Sequence, residues 1–257
     1  MHREYSLCMD PREVLTRRVP SPDRTLAYGP GPDHVFDVRG AGPLVLFLHG
    51  GFWRAEYDRT HVGPLACALA EAGYTVAACE YRRTGQSGGG QPSGGWPGTF
   101  EDVRRAVERI PQVLGVELAL IAGHSAGGHL ALWAPVECPV LALAPVTGLV
   151  EAYELDLDGG AVGALLGGSP TEFPERYAAA EPQRRGTILH GLDDAQVPIE
   201  LSRAYAARTG ATLVELPGVE HFSLIDPLSD VWPIVEGHVR AAVEQAGRSE
   251  LGHDSHL

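Results

Sequence analysis

A serine between glycines, a pair of aspartates and a late histidine are the residues of this chain that could together perform acyl transfer. Ser125 sits in Gly123-His124-Ser125-Ala126-Gly127, a G-x-S-x-G pentapeptide. The apolar run 118–122 before it has the length of a buried strand, and a helical pattern runs from Gly128 to Trp133 after it. In that strand–turn–helix setting the serine is held exposed at the top of a sheet. The helix N-terminus behind it favours negative charge. Gly123 and Gly127 leave room for a reversal too sharp for large side chains. Without the flanking strand and helix, the pentapeptide would be an ordinary Gly/Ser turn. Ser125 is the expected nucleophile.

Serine chemistry also needs a base, a group to orient it, and donors for the developing oxyanion. The expected order is serine, then acid, then histidine. The acid should follow the apolar strand 187–190, where the chain reads Gly191-Leu192-Asp193-Asp194-Ala195-Gln196-Val197-Pro198. Two adjacent aspartates fit, and either could be a plain turn residue. The base should follow the last strand, 211–216, and His221 stands there in Pro217-Gly218-Val219-Glu220-His221-Phe222. Its Nε2 would take the serine proton while Nδ1–H faces the acid. The oxyanion loop is expected after strand 44–48, at His49-Gly50-Gly51-Phe52-Trp53. Its glycines let backbone N–H groups approach a carbonyl, and Gly51, Phe52 and Ala126 are the candidate donors. Loss of one such donor typically costs about 3–4 kcal/mol of transition-state stabilisation. Trp53, Trp96 and Phe222 are candidates for lining the substrate pocket, with Trp133 assigned to the core.

The remaining histidines have weaker claims. His129 lies one helical turn past Ser125 and reads as packing, while His34, His61 and His190 have no chemical partner visible in the sequence. His49 reads as a brace for its loop. No histidine spacing supports a metal, and the mechanism expected here needs no cofactor. Ser87, in a Gly-rich stretch, lacks the G-K-[ST] of a phosphate loop.

These residues need a scaffold, and the rest of the chain supplies one. At 257 residues, with 44% hydrophobic and 21% charged content, the chain can bury one full α/β core. A net charge of −13 without a basic cluster excludes a nucleic-acid surface. Cys8, Cys67, Cys79 and Cys138 form no C-x-x-C pair, and Cys67, Cys79 and Cys138, which sit among apolar residues, read as buried free thiols of a reducing compartment. No stretch reaches transmembrane length, and the N-terminus lacks an apolar signal core, so the expected location is cytoplasmic and no membrane partner is expected. Residues 1–34 read as a surface segment and 35–246 as the hydrolytic domain. Within it, apolar runs at 35–38, 44–48, 74–79, 118–122, 140–144, 187–190 and 211–216 alternate with helical patterns at 61–72, from Thr99, at 199–208 and at 227–246. Thr99 is a plausible N-cap with Asp102 three residues on. A Gly/Ser/Pro-rich loop spans 84–98, an irregular insertion at 147–185 lies over the active-site end of the sheet, and the tail 247–257 reads as disordered. The alternation predicts a mostly parallel sheet covered on both faces.

Together, His49-Gly50-Gly51-Phe52-Trp53, Gly123-His124-Ser125-Ala126-Gly127-Gly128-His129-Leu130 and His221-Phe222 resemble the α/β-hydrolase superfamily. Within it they resemble the arylformamidase (kynurenine formamidase) and HGG-motif esterase branch. The resemblance runs from about residue 35 to 246 and implies an α/β-hydrolase fold with a short cap at 147–185. The G-x-x-D-x-x-V-P spacing common in such hydrolases selects Asp194 as the acid, leaving Asp193 as a turn residue. The implied activity is hydrolysis of an N-formyl aromatic amine such as N-formylkynurenine, through an acyl-enzyme and without a cofactor. A broad carboxylesterase acting on short acyl esters is the alternative, and a non-catalytic binding module a minor one. The expected partner is a small-molecule substrate, and a homodimer is left open.

Overall fold

Runs in which every residue is apolar must be covered on both faces, and the computed structural model places them that way. It describes residues 10–86 and 94–253. Along the chain come β1 (Arg24–Ala27), β2 (Val35–Arg39), β3 (Leu44–Leu48), α1 (Gly63–Glu71), β4 (Thr75–Cys79), α2 (Gly98–Leu114), β5 (Leu118–His124) and α3 (Ala126–Trp133). They are followed by β6 (Val140–Leu143), α4 (Leu149–Glu154), α5 (Ala161–Leu166), α6 (Pro174–Ala180), β7 (Thr187–Gly191), α7 (Ile199–Thr209), β8 (Thr212–Leu216) and α8 (Trp232–His253). One eight-stranded sheet runs in the order β1-β2-β4-β3-β5-β6-β7-β8. The strands from β4 through β8 are parallel to their neighbours, while β1 and β2 are antiparallel additions at one edge.

The pleat of β3 shows how the two cores arise, because successive side chains in a strand face opposite sides. Leu44, Leu46 and Leu48 join the core that also holds Phe100, Val103 and Ile110 of α2 and Leu130 of α3. Val45 and Phe47 join the other, with Leu65 and Leu69 of α1 and Val235 and Val239 of α8. From β3 the chain turns to β4 on one side, then crosses back to β5 on the other. The crevice at that reversal, beyond the carboxyl ends of the strands, is where ligands bind in open parallel sheets. The loops after β3, β5, β7 and β8 all emerge there.

The first strand went unread: β1 lies within the segment taken as surface wrapping, pairing Arg24 through Ala27 with β2. Its burial is slight, so it has no apolar alternation to reveal it. Upstream of it, Val14 is wholly buried, and the Arg17 guanidinium grips both oxygens of Asp226. Thr99 does not cap α2; its hydroxyl donates to the Arg82 carbonyl at 2.6 Å and accepts from Gly95 N–H. Asp102 is likewise turned inward, taking a bond from Arg82 N–H at 2.9 Å and facing His34 Nε2 at 2.9 Å. Helix α8 starts later than expected and continues past Gly247 to His253. Cys67, Cys79 and Cys138 are free thiols. Cys8, Ser87 and residues 254–257 lie outside the described residues.

Candidate active site

The turn after β5 carries the backbone distortion that G-x-S-x-G predicts. Ser125 has φ 56° and ψ −120°, a conformation that costs a non-glycine residue energy and persists only where its surroundings enforce it. Here Ser125 N–H donates to the Leu143 carbonyl at 2.8 Å, and the Ser125 carbonyl accepts from His129 N–H at 3.0 Å and Val146 N–H at 3.2 Å. Both glycines of the motif are needed for contact. A Cβ on Gly127 would stand 2.1 Å from the Leu48 carbonyl oxygen, and one on Gly123 would stand 2.2 Å from that of Gly127. Helix α3 therefore starts hard against the end of β3, which brings the His49–Trp53 loop to the serine. A Cβ on Gly50 would lie 3.2 Å from that of Ser125.

That loop bends through three consecutive positive φ values, at Gly51 (104°), Phe52 (48°) and Trp53 (56°). A histidine underneath holds it. Leu48 and Cys79 are paired in the parallel register of β3 and β4, so the next residues, His49 and Glu80, also meet. His49 Nε2 lies 2.9 Å from Glu80 Oε1 and Nδ1 lies 2.8 Å from the Gly50 carbonyl. The ring stacks on Tyr81 at 4.3 Å, and Tyr81 O–H donates to the His49 carbonyl at 2.7 Å. Burial alone would raise the Glu80 pKa; the charge and hydrogen bond of His49, with Arg83 and Arg59 N–H, hold it at about 2.

At the ends of β7 and β8 the two aspartates separate cleanly. Asp193 is exposed. The Asp194 carboxyl is 1% exposed, and its Oδ2 lies 2.6 Å from His221 Nδ1. Its Oδ1 accepts from Gln196 N–H and Val197 N–H, both at 2.8 Å. Gly191 allows the meeting, since a Cβ there would be 2.0 Å from the Val219 carbonyl oxygen. Burial pushes the Asp194 pKa up, but the bonds from His190, His221 and Val197 N–H outweigh it and keep the carboxyl well below its usual range. His221 is fixed again from above, where His124 Nε2–H donates to its carbonyl at 3.1 Å. Burial first, then the neighbouring His221, drives His124 far below the usual histidine range. The ring therefore stays neutral.

Ser125, His124, His221, Gly51, Phe52 and Phe222 line one cavity of about 50 Å³, together with Leu15, Tyr57, His61, Asp158 and Gln196. Among the described residues Ser125 Oγ forms no hydrogen bond with His221. Such bonds are often long until a substrate aligns the pair. Of the expected pocket residues only Phe222 is in place, its ring 5.0 Å from that of His221. Trp53 is wholly buried, edge-on to His129 at 5.3 Å; the left-handed turn before it throws the indole into the core rather than the cavity. Trp96 faces a different cleft beside Phe100 and Trp133. Nearness in sequence to the oxyanion loop did not fix which way a side chain points.

Five lining residues were missed. Tyr57 and His61 follow the His-Gly-Gly loop within a dozen residues, and Gln196 lies inside the acid motif, so their spacing was readable. Leu15 and Asp158 reach the cavity from the two least patterned stretches of the chain. Asp158 is gripped by Arg54, the residue after Trp53, through its carboxylate and its carbonyl. His190, dismissed as partnerless, lies behind the acid with Nε2 3.3 Å from Asp194 Oδ2 and Nδ1 2.8 Å from Ser202 Oγ. Among the described residues no three His, Cys, Asp or Glu side chains are grouped to hold a metal, and no helix is long and apolar enough to cross a membrane.

Solved structures share this fold. Esterase B from Lactobacillus rhamnosis, in a structure with a tributyrin phosphonate, superposes with TM-score 0.70 at 17% identity, over 96% of this chain and 94% of that one. Residues 37–139 match the BD-FAE family. The chain has an α/β-hydrolase fold. It is 25% identical to LipM of Mycobacterium tuberculosis, named a probable carboxylic ester hydrolase, across 81% of its own length and 54% of that protein. It is 34% identical to the kynurenine formamidase of Salmo salar, but over only 35% of its own length and 28% of that enzyme. The chain spans about half the length of the curated relatives that it matches over most of its own length.

Proposed function

We propose that this protein is a serine hydrolase that cleaves small acyl esters through an acyl-enzyme intermediate. The observation that carries this reading is the 2.6 Å contact between Asp194 Oδ2 and His221 Nδ1, in a histidine whose ring shares a cavity with the strained Ser125. With Nδ1 committed to the carboxylate, His221 Nε2 is the basic nitrogen left to act. Ser125 Oγ attacks the acyl carbon as Nε2 removes its proton, and buried Asp194 stabilises the resulting imidazolium. The carbonyl oxygen takes up the charge, and the N–H groups of Ala126 and of the Gly51–Phe52 turn are the proposed donors. The intermediate collapses as the imidazolium returns the proton to the leaving group. Water, deprotonated by the same nitrogen, then releases the acid and restores Ser125.

The space beside Ser125 is small, about 50 Å³, which favours a short acyl chain. It also supports a second reading, an arylformamidase, which the partial match to kynurenine formamidase joins. The two separate in kcat/KM for N-formylkynurenine against a short-chain p-nitrophenyl ester, with Ser125→Ala as the control. The expected result is ester turnover lost in the control. A strong formamide preference would move the assignment to the arylformamidase. Failure of a fluorophosphonate to label Ser125 would leave a hydrolase fold without hydrolase chemistry.

A further inference from the structure

His61 is a buried polar group of the cavity that neither the triad nor the oxyanion loop uses. Its residue is 8% exposed, and it lines the same cavity as Ser125, Gly51 and Phe52. Its Nδ1 is sealed from solvent and meets no partner at hydrogen-bonding geometry. The ring stands edge-on between His49, at 5.5 Å, and Tyr57, at 6.1 Å. Tyr57 in turn packs on Gly51, where an added Cβ would come within 2.4 Å of it. His61 is therefore fixed against the oxyanion loop. Burial first, then His49, lowers its pKa to about 3, so the ring is neutral throughout the range in which a serine hydrolase works. A neutral imidazole carries one N–H and one lone pair. With Nδ1 sealed from solvent in a ring that lines the cavity, Nε2 is the nitrogen left to meet a bound group, and in the tautomer that places the lone pair there it is an acceptor.

We propose that His61 is a specificity-determining residue that accepts a hydrogen bond from an N–H or O–H donor beside the scissile acyl group. A buried acceptor left unmatched is costly, so substrates without such a donor are penalised. Sites built around a hydrogen bond reject analogues that lack it far better than apolar pockets reject a methylene. The donor has two sources: the N–H of an acyl amide, or a free hydroxyl next to the ester of a polyol. The inference rests on the serine-hydrolase reading above.

The test compares matched substrates in three proteins: wild type, His61→Phe and His61→Gln. The first pair is an aryl formamide and its N-methyl derivative; the second is glycerol monoacetate and propyl acetate. The Phe variant removes the acceptor and keeps a ring, whereas the Gln variant restores an acceptor. The expected result in at least one pair is a fall of about tenfold or more in the kcat/KM ratio of donor-bearing to donor-free substrate in the Phe variant, with recovery in the Gln variant. The pair that responds identifies the source of the donor. Ratios unchanged in both pairs, or loss in the Phe variant without recovery in the Gln variant, would overturn the assignment. Fluorophosphonate labelling of wild-type Ser125 runs alongside. Its failure would overturn the hydrolase reading and this inference together, whereas labelling with unmoved ratios overturns the inference alone.

Discussion

Two buried histidine–carboxylate pairs sit within one active-site end, and by distance alone they are alike. His221 lies 2.6 Å from Asp194 and His49 lies 2.9 Å from Glu80. Both carboxyls are nearly inaccessible, and both are held below the usual carboxylate range by their partners despite burial. What separates them is the far side of the ring. His49 spends its second nitrogen on the Gly50 carbonyl and its face on Tyr81, so no basic atom remains. His221 keeps its second nitrogen for the cavity. A histidine–carboxylate pair is a candidate for chemistry only where one imidazole nitrogen is left uncommitted and a nucleophile shares its space. Otherwise it is a brace.

The largest test of that distinction is removal of groups at the reactive pair. Ser125→Ala should lower kcat by about 10⁶ and Asp194→Asn by about 10⁴, both with circular dichroism spectra like wild type. Asp193→Asn, at an exposed position one residue away, should stay within about threefold. A comparable loss in Asp193→Asn would exchange the two aspartates. At the brace the effect should fall on stability instead. Glu80→Ala takes a carboxylate from Arg59 and Arg83, which keep Asp37 and Asp33, and leaves buried His49 without its partner; removing one member of a buried ionic cluster costs about 3 kcal/mol. Urea unfolding measures it, and an unshifted midpoint would show the pair to be dispensable.

Acid should loosen the molecule before the carboxylates titrate. His61 at about 3 and His129 at about 4, both lowered by burial, bind protons more readily unfolded than folded. Their contribution to stability is complete above pH 6.5. It declines as pH falls toward the folded values, by about 1.4 kcal/mol per unit for each such histidine. Glu80 adds a further loss below pH 4.5, as its folded value of about 2 is approached. Melting temperature against pH should therefore begin to drop near 6.5; a flat profile down to pH 4.5 would mean these rings are not neutral in the fold. The smallest expected effect is that of Tyr81→Phe, which removes the bond to the His49 carbonyl at about 1 kcal/mol and should relax the oxyanion loop, read as a lower kcat with little change in KM.

Much of the scaffold was legible because period and apolarity report it: the parallel strands from β3 to β8 each fall on an apolar run. Local motifs singled out Ser125 and His221, and the spacing of the family that the chain resembles singled out Asp194 over Asp193; the fold brings all three to one end of the sheet. The brace was not legible, because His49 and Glu80 are 31 residues apart and meet only through the register of β3 and β4. Nor was the cavity wall. Leu15 and Asp158 arrive from stretches with no period, and the indole of Trp53 is aimed by backbone angles that no composition encodes. Residue identity located the chemistry, but side-chain direction decided the pocket.

The grip of Arg17 on Asp226 has a consequence for how the protein is made. The two residues are 209 positions apart, and Leu15, two residues before Arg17, forms part of the cavity wall. At about 10 residues per second, roughly twenty seconds of translation separate the emergence of the two ends of this clasp. Until then the segment around Leu15 lacks this clasp, although Ser125 and its elbow have long since left the ribosome. A nascent chain halted before residue 226 would thus carry the proposed nucleophile without the clasp that holds this part of the cavity wall.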